Sequence, residues 1–142
     1  MATVKFLHSY WAYLVLLVVV LATVNSIIGM VTKKEFGAKD FRVALFALIV
    51  THIQLLIGIV LFVFANNFGD VEMGEIMNNS VLRLKNIEHP LLMVIAIMLL
   101  TIGYSKHKTK RTSASKFRLL AITYTLALIA MLAMIPWGVW LG

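Results

Sequence analysis

The sequence predicts an all-α integral membrane protein, a four-helix bundle with up-down-up-down topology. Hydrophobic residues make up 61% of the 142 residues and charged residues only 13%, and the mean hydropathy is +0.94. Such a chain is too apolar for a soluble domain of this length. Four apolar runs each reach the roughly 20 residues that cross a bilayer. The short connections between them favour antiparallel neighbours.

The four helices are predicted within a single domain that covers residues 1–142. Their expected ranges are 5–31, 41–65, 80–105 and 117–140. The first run is too long for the apolar part of a signal peptide, and no small-residue cleavage site follows it. It is therefore interpreted as a membrane helix.

The charge distribution predicts the orientation in the membrane. The net charge is +7, and ten of the thirteen Lys and Arg residues lie in the connections that follow the first and third helices. These ten are Lys33, Lys34, Lys39, Arg42, Lys106, Lys108, Lys110, Arg111, Lys116 and Arg118. The positive-inside rule places them in the cytoplasm, with both termini on the outer side of a bacterial inner (cytoplasmic) membrane. The basic residues are thus a topology signal and a contact for membrane lipid, and no nucleic-acid partner is expected.

Two histidines at matching places suggest a shared ligand. His8 opens the first helix and His89 the third, and these helices run in the same direction, diagonally across the bundle. From His8 to Asn25 and from His89 to Ser105 the rise is about 24 Å in each case, so the two imidazoles are expected at one depth. Imidazoles facing each other in this way suit the two axial positions of a haem iron. Since the chain has no cysteine, covalent attachment is excluded and haem b is the predicted cofactor.

Neighbouring residues extend the predicted cofactor site. Lys5 and Lys85 lie about one turn before the two histidines, where their ammonium groups could meet haem propionates or simply reach the membrane interface. Ala12 and Ala96 lie four and seven residues beyond the histidines. Their small side chains would leave room for a flat ring. Glu88 is interpreted either as a hydrogen-bond partner of its neighbour or as a solvated carboxylate.

The other two histidines have different interpretations. His52 lies within the second helix, deeper than the pair. It is interpreted as an additional ligand, as part of a quinone or proton site, or as a buried hydrogen-bonding residue with Thr51 or Gln54 nearby. His107 lies in a basic connection and is expected to be solvated.

Two known families resemble this arrangement. The segments are His8-Ser9-Tyr10-Trp11-Ala12, Gln54-Leu55-Leu56-Ile57-Gly58-Ile59 and Glu88-His89-Pro90. The chain resembles one four-helix half of haem A synthase, and over its whole length it is similar to small cytochrome b-like membrane proteins of Bacteroidota. This resemblance implies axial ligation of haem by His8 and His89. In haem A synthase a carboxylate lies one turn before a ligand histidine, whereas Lys5 lies there in this chain, so oxidative synthase chemistry is not expected.

The function expected from these observations is that of a b-type haem protein. It would transfer electrons or serve as a haem-binding subunit of a respiratory or haem-handling complex, rather than act as a stand-alone enzyme. Its expected partners are lipid, a quinone, and subunits of a membrane complex or further copies of the chain. The alternative is a structural accessory subunit without a cofactor. A small transporter is a third interpretation, although the membrane segments lack the acidic residues and paired broken helices typical of one.

Overall fold

The computed structural model describes residues 2–140, with the side chain of Val139 outside the description. The α-helices are α1 (Ala2–Val31), α2 (Ala38–Ala65), α3 (Met73–Asn78), α4 (Ser80–Arg83), α5 (His89–His107), α6 (Ser113–Met134) and α7 (Trp137–Trp140). Helix α4 continues into α5 through a π turn at Leu84–Glu88. The described residues contain no strand.

Within residues 2–140, four helices are long and apolar enough to cross a membrane, which confirms the predicted all-α four-helix bundle. These helices are Ala2–Val31, Ala38–Ala65, Ser80–His107 and Ser113–Met134. Apolar side chains cover their outer surfaces, and Leu17, Leu56 and Ile129 are more than half exposed. Because a lipid-facing helix needs no polar outer face, this exposure fits a multi-pass membrane protein.

The four long helices surround one core. Helix α1 packs against α2 and α6, and α5 packs extensively against α6 and less extensively against α2. Helices α1 and α5 therefore lie diagonally across the bundle, as the sequence predicts. We call the end of the bundle that carries His8 and His89 the histidine end. The opposite end, formed by the connections at 32–37 and 108–112, is the basic end.

The π turn has a local cause in the sequence. Pro90 has no N–H group, and in a regular α-helix its ring would collide with the carbonyl of the residue four positions earlier. One wider turn avoids that collision, and the His89 N–H donates to the Leu84 carbonyl. The proline is thus accommodated inside a continuous helix. The π turn ends at Glu88, immediately before His89.

The fourth membrane helix ends earlier than predicted, at Met134 rather than near Trp140. Ile135 is extended, with φ −73° and ψ 132°, because the residue before a proline is sterically disfavoured in the helical region. Pro136 cannot donate the hydrogen bond that would continue the helix. Only a short turn at Trp137–Trp140 follows.

The long connection at the histidine end folds against the helices. Ile76 of α3 is fully buried, and Asn86, on the π turn, is 3% exposed. The Asn86 side chain accepts a hydrogen bond from the Asn67 backbone N–H (2.9 Å) and donates to the Asn67 side-chain oxygen (3.0 Å). This exchange anchors the connection to the segment that carries His89.

The tightly packed part of the core lies toward the basic end. Along the four long helices, the last buried apolar residues before the histidine end are Val15, Val50, Ala96 and Met131. Within residues 2–140, the apolar side chains of these helices beyond that level are half-buried or exposed. Side chains therefore fill the bundle more completely below the histidine pair than around it.

Candidate functional site at the histidine end

The structure brings the His8 and His89 rings together across the bundle. Their centroids are 6.3 Å apart and their planes meet at 87°. The rings come from the diagonal helices α1 and α5, as their matching positions in the sequence predict. Both side chains are half-buried.

The spacing of the two rings can be compared with that of two imidazoles on one metal ion. An imidazole nitrogen lies about 2 Å from its metal, and the ring centre lies about 1 Å farther, so opposed ligands have centroids about 6 Å apart. The observed centroid distance of 6.3 Å is close to this spacing. The twist between two opposed rings is not restricted, because each plane need only contain its own metal–nitrogen bond. The distance between the two rings therefore fits two imidazoles on one haem iron.

One hydrogen bond determines the tautomer of His89. Its Nδ1 lies 2.9 Å from the Met134 carbonyl oxygen. A carbonyl only accepts, so Nδ1 must carry the hydrogen, and Nε2 of the neutral ring keeps its lone pair. Histidine ligands of metals commonly have this arrangement, with the second nitrogen bonded to an oxygen that orients the ring.

The Met134 carbonyl can accept this bond because α6 stops there. The last carbonyls of a helix have no partner within the helix, and Pro136 provides no N–H group to extend it. This contact is not apparent from the sequence, in which the fourth helix is predicted to continue beyond Met134. Pro136 indicates in the sequence that the helix ends before it. That the freed Met134 carbonyl meets His89 depends on how α5 packs against α6.

The His8 ring lies against α2. Gly58 faces it closely, and a Cβ atom added to Gly58 would lie 3.3 Å from His8 Cε1 and 3.7 Å from Nδ1. The Gln54 amide donates to the His8 carbonyl at 2.8 Å. Within the described chain, His8 Nδ1 and Gln54 Oε1 are both buried without a hydrogen-bond partner. Two polar side-chain atoms, one on an imidazole and one on an amide, are thus buried without a partner at the histidine end of an apolar bundle.

The predicted supporting residues lie in three different environments. Lys5 and Lys85 are exposed, Ala12 is half-buried, and Ala96 is fully buried within the packed core. Two predictions remain: that the lysines contact haem propionates, and that the alanines leave room for the haem ring. The Glu88 carboxylate forms an ion pair with Arg83 at 3.6 Å rather than a hydrogen bond with His89.

The structure places His52 in a different part of the molecule. Its Nδ1 lies 2.8 Å from the Leu48 carbonyl, and its Nε2 faces Thr101 of α5 at 3.5 Å. His52 therefore lies between α2 and α5 on the side of the bundle, and its hydrogen-bond contacts are with Leu48 and Thr101. Thr51 and Gln54 instead bond to the carbonyls of Ala47 and His8.

The expectation that His107 is solvated is wrong. It is the last residue of α5 and only 1% exposed. Its Nδ1 bonds to the Tyr104 carbonyl, and its ring packs against the rings of Phe36, Phe41 and Tyr104 at centroid distances of 5.1 to 5.7 Å. The connection at 32–37 folds over the end of α5 and covers the His107 ring. The basic residues that neighbour His107 along the chain do not indicate this long-range contact.

The described residues contain no group of three or more His, Cys, Asp or Glu side chains arranged to hold a metal ion. A haem iron takes only its axial ligands from the protein, so two histidines suffice for it. Comparisons of the chain with protein-family models, curated proteins and solved structures find no match.

Proposed function

We propose that the protein is a b-type haem-binding membrane protein, with His8 and His89 as the axial ligands of the iron. The observation that carries the proposal is the 6.3 Å spacing of the two rings from diagonal helices. The Met134 carbonyl supports it by leaving Nε2 of His89 with its lone pair. A haem held in this way supplies reversible one-electron reduction of its iron.

The role that follows is electron transfer, or haem binding as a subunit of a respiratory or haem-handling membrane complex. The proposed location is a bacterial inner membrane, with the histidine end and both termini on the outer side. Its support is the concentration of Lys and Arg residues in the two connections of the basic end.

Histidine variants read by absorption spectroscopy test the proposal. His8→Ala and His89→Ala should each abolish the low-spin six-coordinate haem spectrum of the purified, haem-reconstituted protein, because the iron loses one of two fixed nitrogens. His52→Ala should retain that spectrum, since its imidazole lies elsewhere. His107→Ala should also retain it but lower the thermal unfolding temperature, because the change removes a fully buried ring.

Two outcomes would contradict the assignment. A wild-type protein that stays colourless after haem reconstitution would favour the cofactor-free accessory subunit. Loss of the low-spin spectrum in His52→Ala, with His8→Ala unchanged, would move the ligand pair to α2 and α5.

A further inference from the structure

A groove between α1 and α2 opens toward lipid near the basic end of the bundle. It is lined by Val18 and Leu21 of α1 and by Lys39, Arg42, Val43 and Phe46 of α2. Leu21 and Phe46 are at least half exposed, whereas Val18 is buried. The groove thus combines apolar side chains with two basic ones.

The lining residues of α2 change from charged to apolar along one helix face. Positions 39, 42, 43 and 46 have the spacing i, i+3, i+4 and i+7, which places their side chains in one stripe. Lys39 lies in the first turn of α2 (Ala38–Ala65), and Phe46 lies about 10 Å farther along the helix axis. The charges are therefore at the basic end, and the apolar residues lie deeper in the membrane.

Helix α1 continues the apolar part of the groove. The Asn25 amide donates to the Asp40 carboxylate at 2.9 Å, so Asn25 is level with the first turn of α2. Leu21 and Val18 come four and seven residues before Asn25, on the same face of α1, about 6 and 10 Å closer to the histidine end. They lie beside the apolar part of the α2 stripe and extend the groove into the membrane.

Both basic side chains of the groove are free to bind an anion. Within residues 2–140, Lys39 and Arg42 are exposed, and neither has a carboxylate within ion-pair distance. The acidic residue of this turn, Asp40, is buried, and its oxygens accept hydrogen bonds from Lys34 and Asn25. Two positive charges beside the groove therefore lack a counter-charge from the described part of the chain.

We propose that the groove binds one anionic phospholipid, with the headgroup phosphate against Lys39 and Arg42 and an acyl chain along Val18, Leu21 and Phe46. The phosphates of a bilayer lie at its interface, which long basic side chains reach. A guanidinium can donate two parallel hydrogen bonds to phosphate oxygens, and an ammonium adds a compact charge. A free phosphate ion would leave the apolar part of the groove unfilled, so the ligand is a lipid.

The net charge of the headgroup should determine which lipid binds. Phosphatidylglycerol carries an uncompensated negative charge, whereas the ammonium group of phosphatidylethanolamine neutralises its phosphate and would be repelled by the same two cations. General attraction of the basic end to an anionic membrane surface would act around the whole bundle. The proposed site instead predicts a preference confined to the groove between α1 and α2. It includes neither His8 nor His89, so it does not depend on haem.

A second groove, between α2 and α5, provides an internal comparison. Its lining residues are His52, Ile97, Met98, Thr101 and Ile102, none of them Lys or Arg. Because this groove also opens toward lipid but has no cation in its lining, it should not distinguish headgroups by charge.

The test measures which lipid lies beside each groove. The chain has no cysteine, so a single introduced thiol can carry a nitrobenzoxadiazole fluorophore. Leu17→Cys and Val94→Cys place it on the exposed outer surface, one turn deeper than Leu21 and Met98 respectively. Phosphatidylcholine nanodiscs that contain the full chain are prepared with increasing fractions of phosphatidylglycerol or phosphatidylethanolamine. Either lipid carries a nitroxide on its acyl chain, which quenches the fluorophore.

Phosphatidylglycerol should quench the Leu17→Cys probe at a lipid fraction at least about fivefold lower than phosphatidylethanolamine does. This is the effect of one uncompensated cation near an anionic headgroup. The Val94→Cys probe should respond nearly equally to the two lipids. Replacing both groove cations, by Lys39→Gln together with Arg42→Gln, should reduce the preference at Leu17→Cys to the value at Val94→Cys.

The matched control is Lys110→Gln together with Arg111→Gln. It removes one Lys and one Arg charge from exposed residues of the basic end outside the groove, and it should retain the preference. An equal preference at the two probes, or one that persists after both groove cations are replaced, would overturn the proposal. A similar loss in the control would assign the effect to the net charge of the basic end and would overturn it as well. If the doubly substituted groove variant fails to fold, the comparison of the two probes and Arg42→Gln alone still decide the question.

Discussion

At the scale of single residues, Gly58 controls the space beside His8. An added Cβ would lie 3.3 Å from His8 Cε1, a separation at which the ring must move by a few tenths of an ångström. The larger Gly58→Val side chain should displace the ring and weaken haem binding about tenfold or more, the size of effect seen when the support of a metal ligand is lost. Haem titration followed by absorption measures this affinity.

The matched control is Gly74→Val, because a Cβ atom at Gly74 would meet nothing within 4 Å. Its haem affinity should equal that of the wild type. Unchanged affinity in Gly58→Val, with the protein folded, would show that the His8 ring is not held against α2 in the haem-bound state.

At the scale of elements, the end of α6 determines the hydrogen bond that orients His89. Pro136→Ala restores a backbone N–H and allows the helix to continue. The Met134 carbonyl would then accept a hydrogen bond within α6 and compete with His89 Nδ1. We expect haem affinity to fall about tenfold without loss of the histidine ligands, as measured by titration and by the retained low-spin spectrum.

The variant Met134→Leu distinguishes an effect of the Met134 carbonyl from an effect of its side chain. It keeps the carbonyl oxygen that lies 2.9 Å from His89 Nδ1 and should leave haem affinity unchanged. A loss of affinity in Met134→Leu similar to that in Pro136→Ala would attribute the effect to packing of the Met134 side chain.

At the scale of the whole molecule, the two ends of the bundle are expected on opposite sides of the membrane. The chain has no cysteine, so a single introduced thiol can report its own location. An added Cβ atom at Gly69, in the connection at the histidine end, would meet nothing within 4 Å, and Lys110 is exposed at the basic end. The two test variants are Gly69→Cys and Lys110→Cys. A membrane-impermeant maleimide should label Gly69→Cys in bacterial cells with a permeabilised outer membrane and an intact inner membrane, but label Lys110→Cys only after the inner membrane is opened.

The wild-type chain, which has no thiol, provides the background for this labelling. Labelling of Lys110→Cys with the inner membrane intact, together with protection of Gly69→Cys, would reverse the proposed orientation. The helix packing would remain as described, because it does not depend on the side from which the chain is inserted.

The sequence by itself determined the four membrane helices and the parallel course of the first and third, because span length and apolar composition are properties of contiguous residues. It also placed His8 and His89 at one depth, since rise along a helix is fixed. Only the tertiary structure decided that Met134 orients His89, that Gly58 and Gln54 border His8, that His52 faces Thr101 and that His107 is buried. These contacts join helices that are distant in the chain. Which polar groups meet there depends on how each helix is rotated about its axis and on the residue at which it ends.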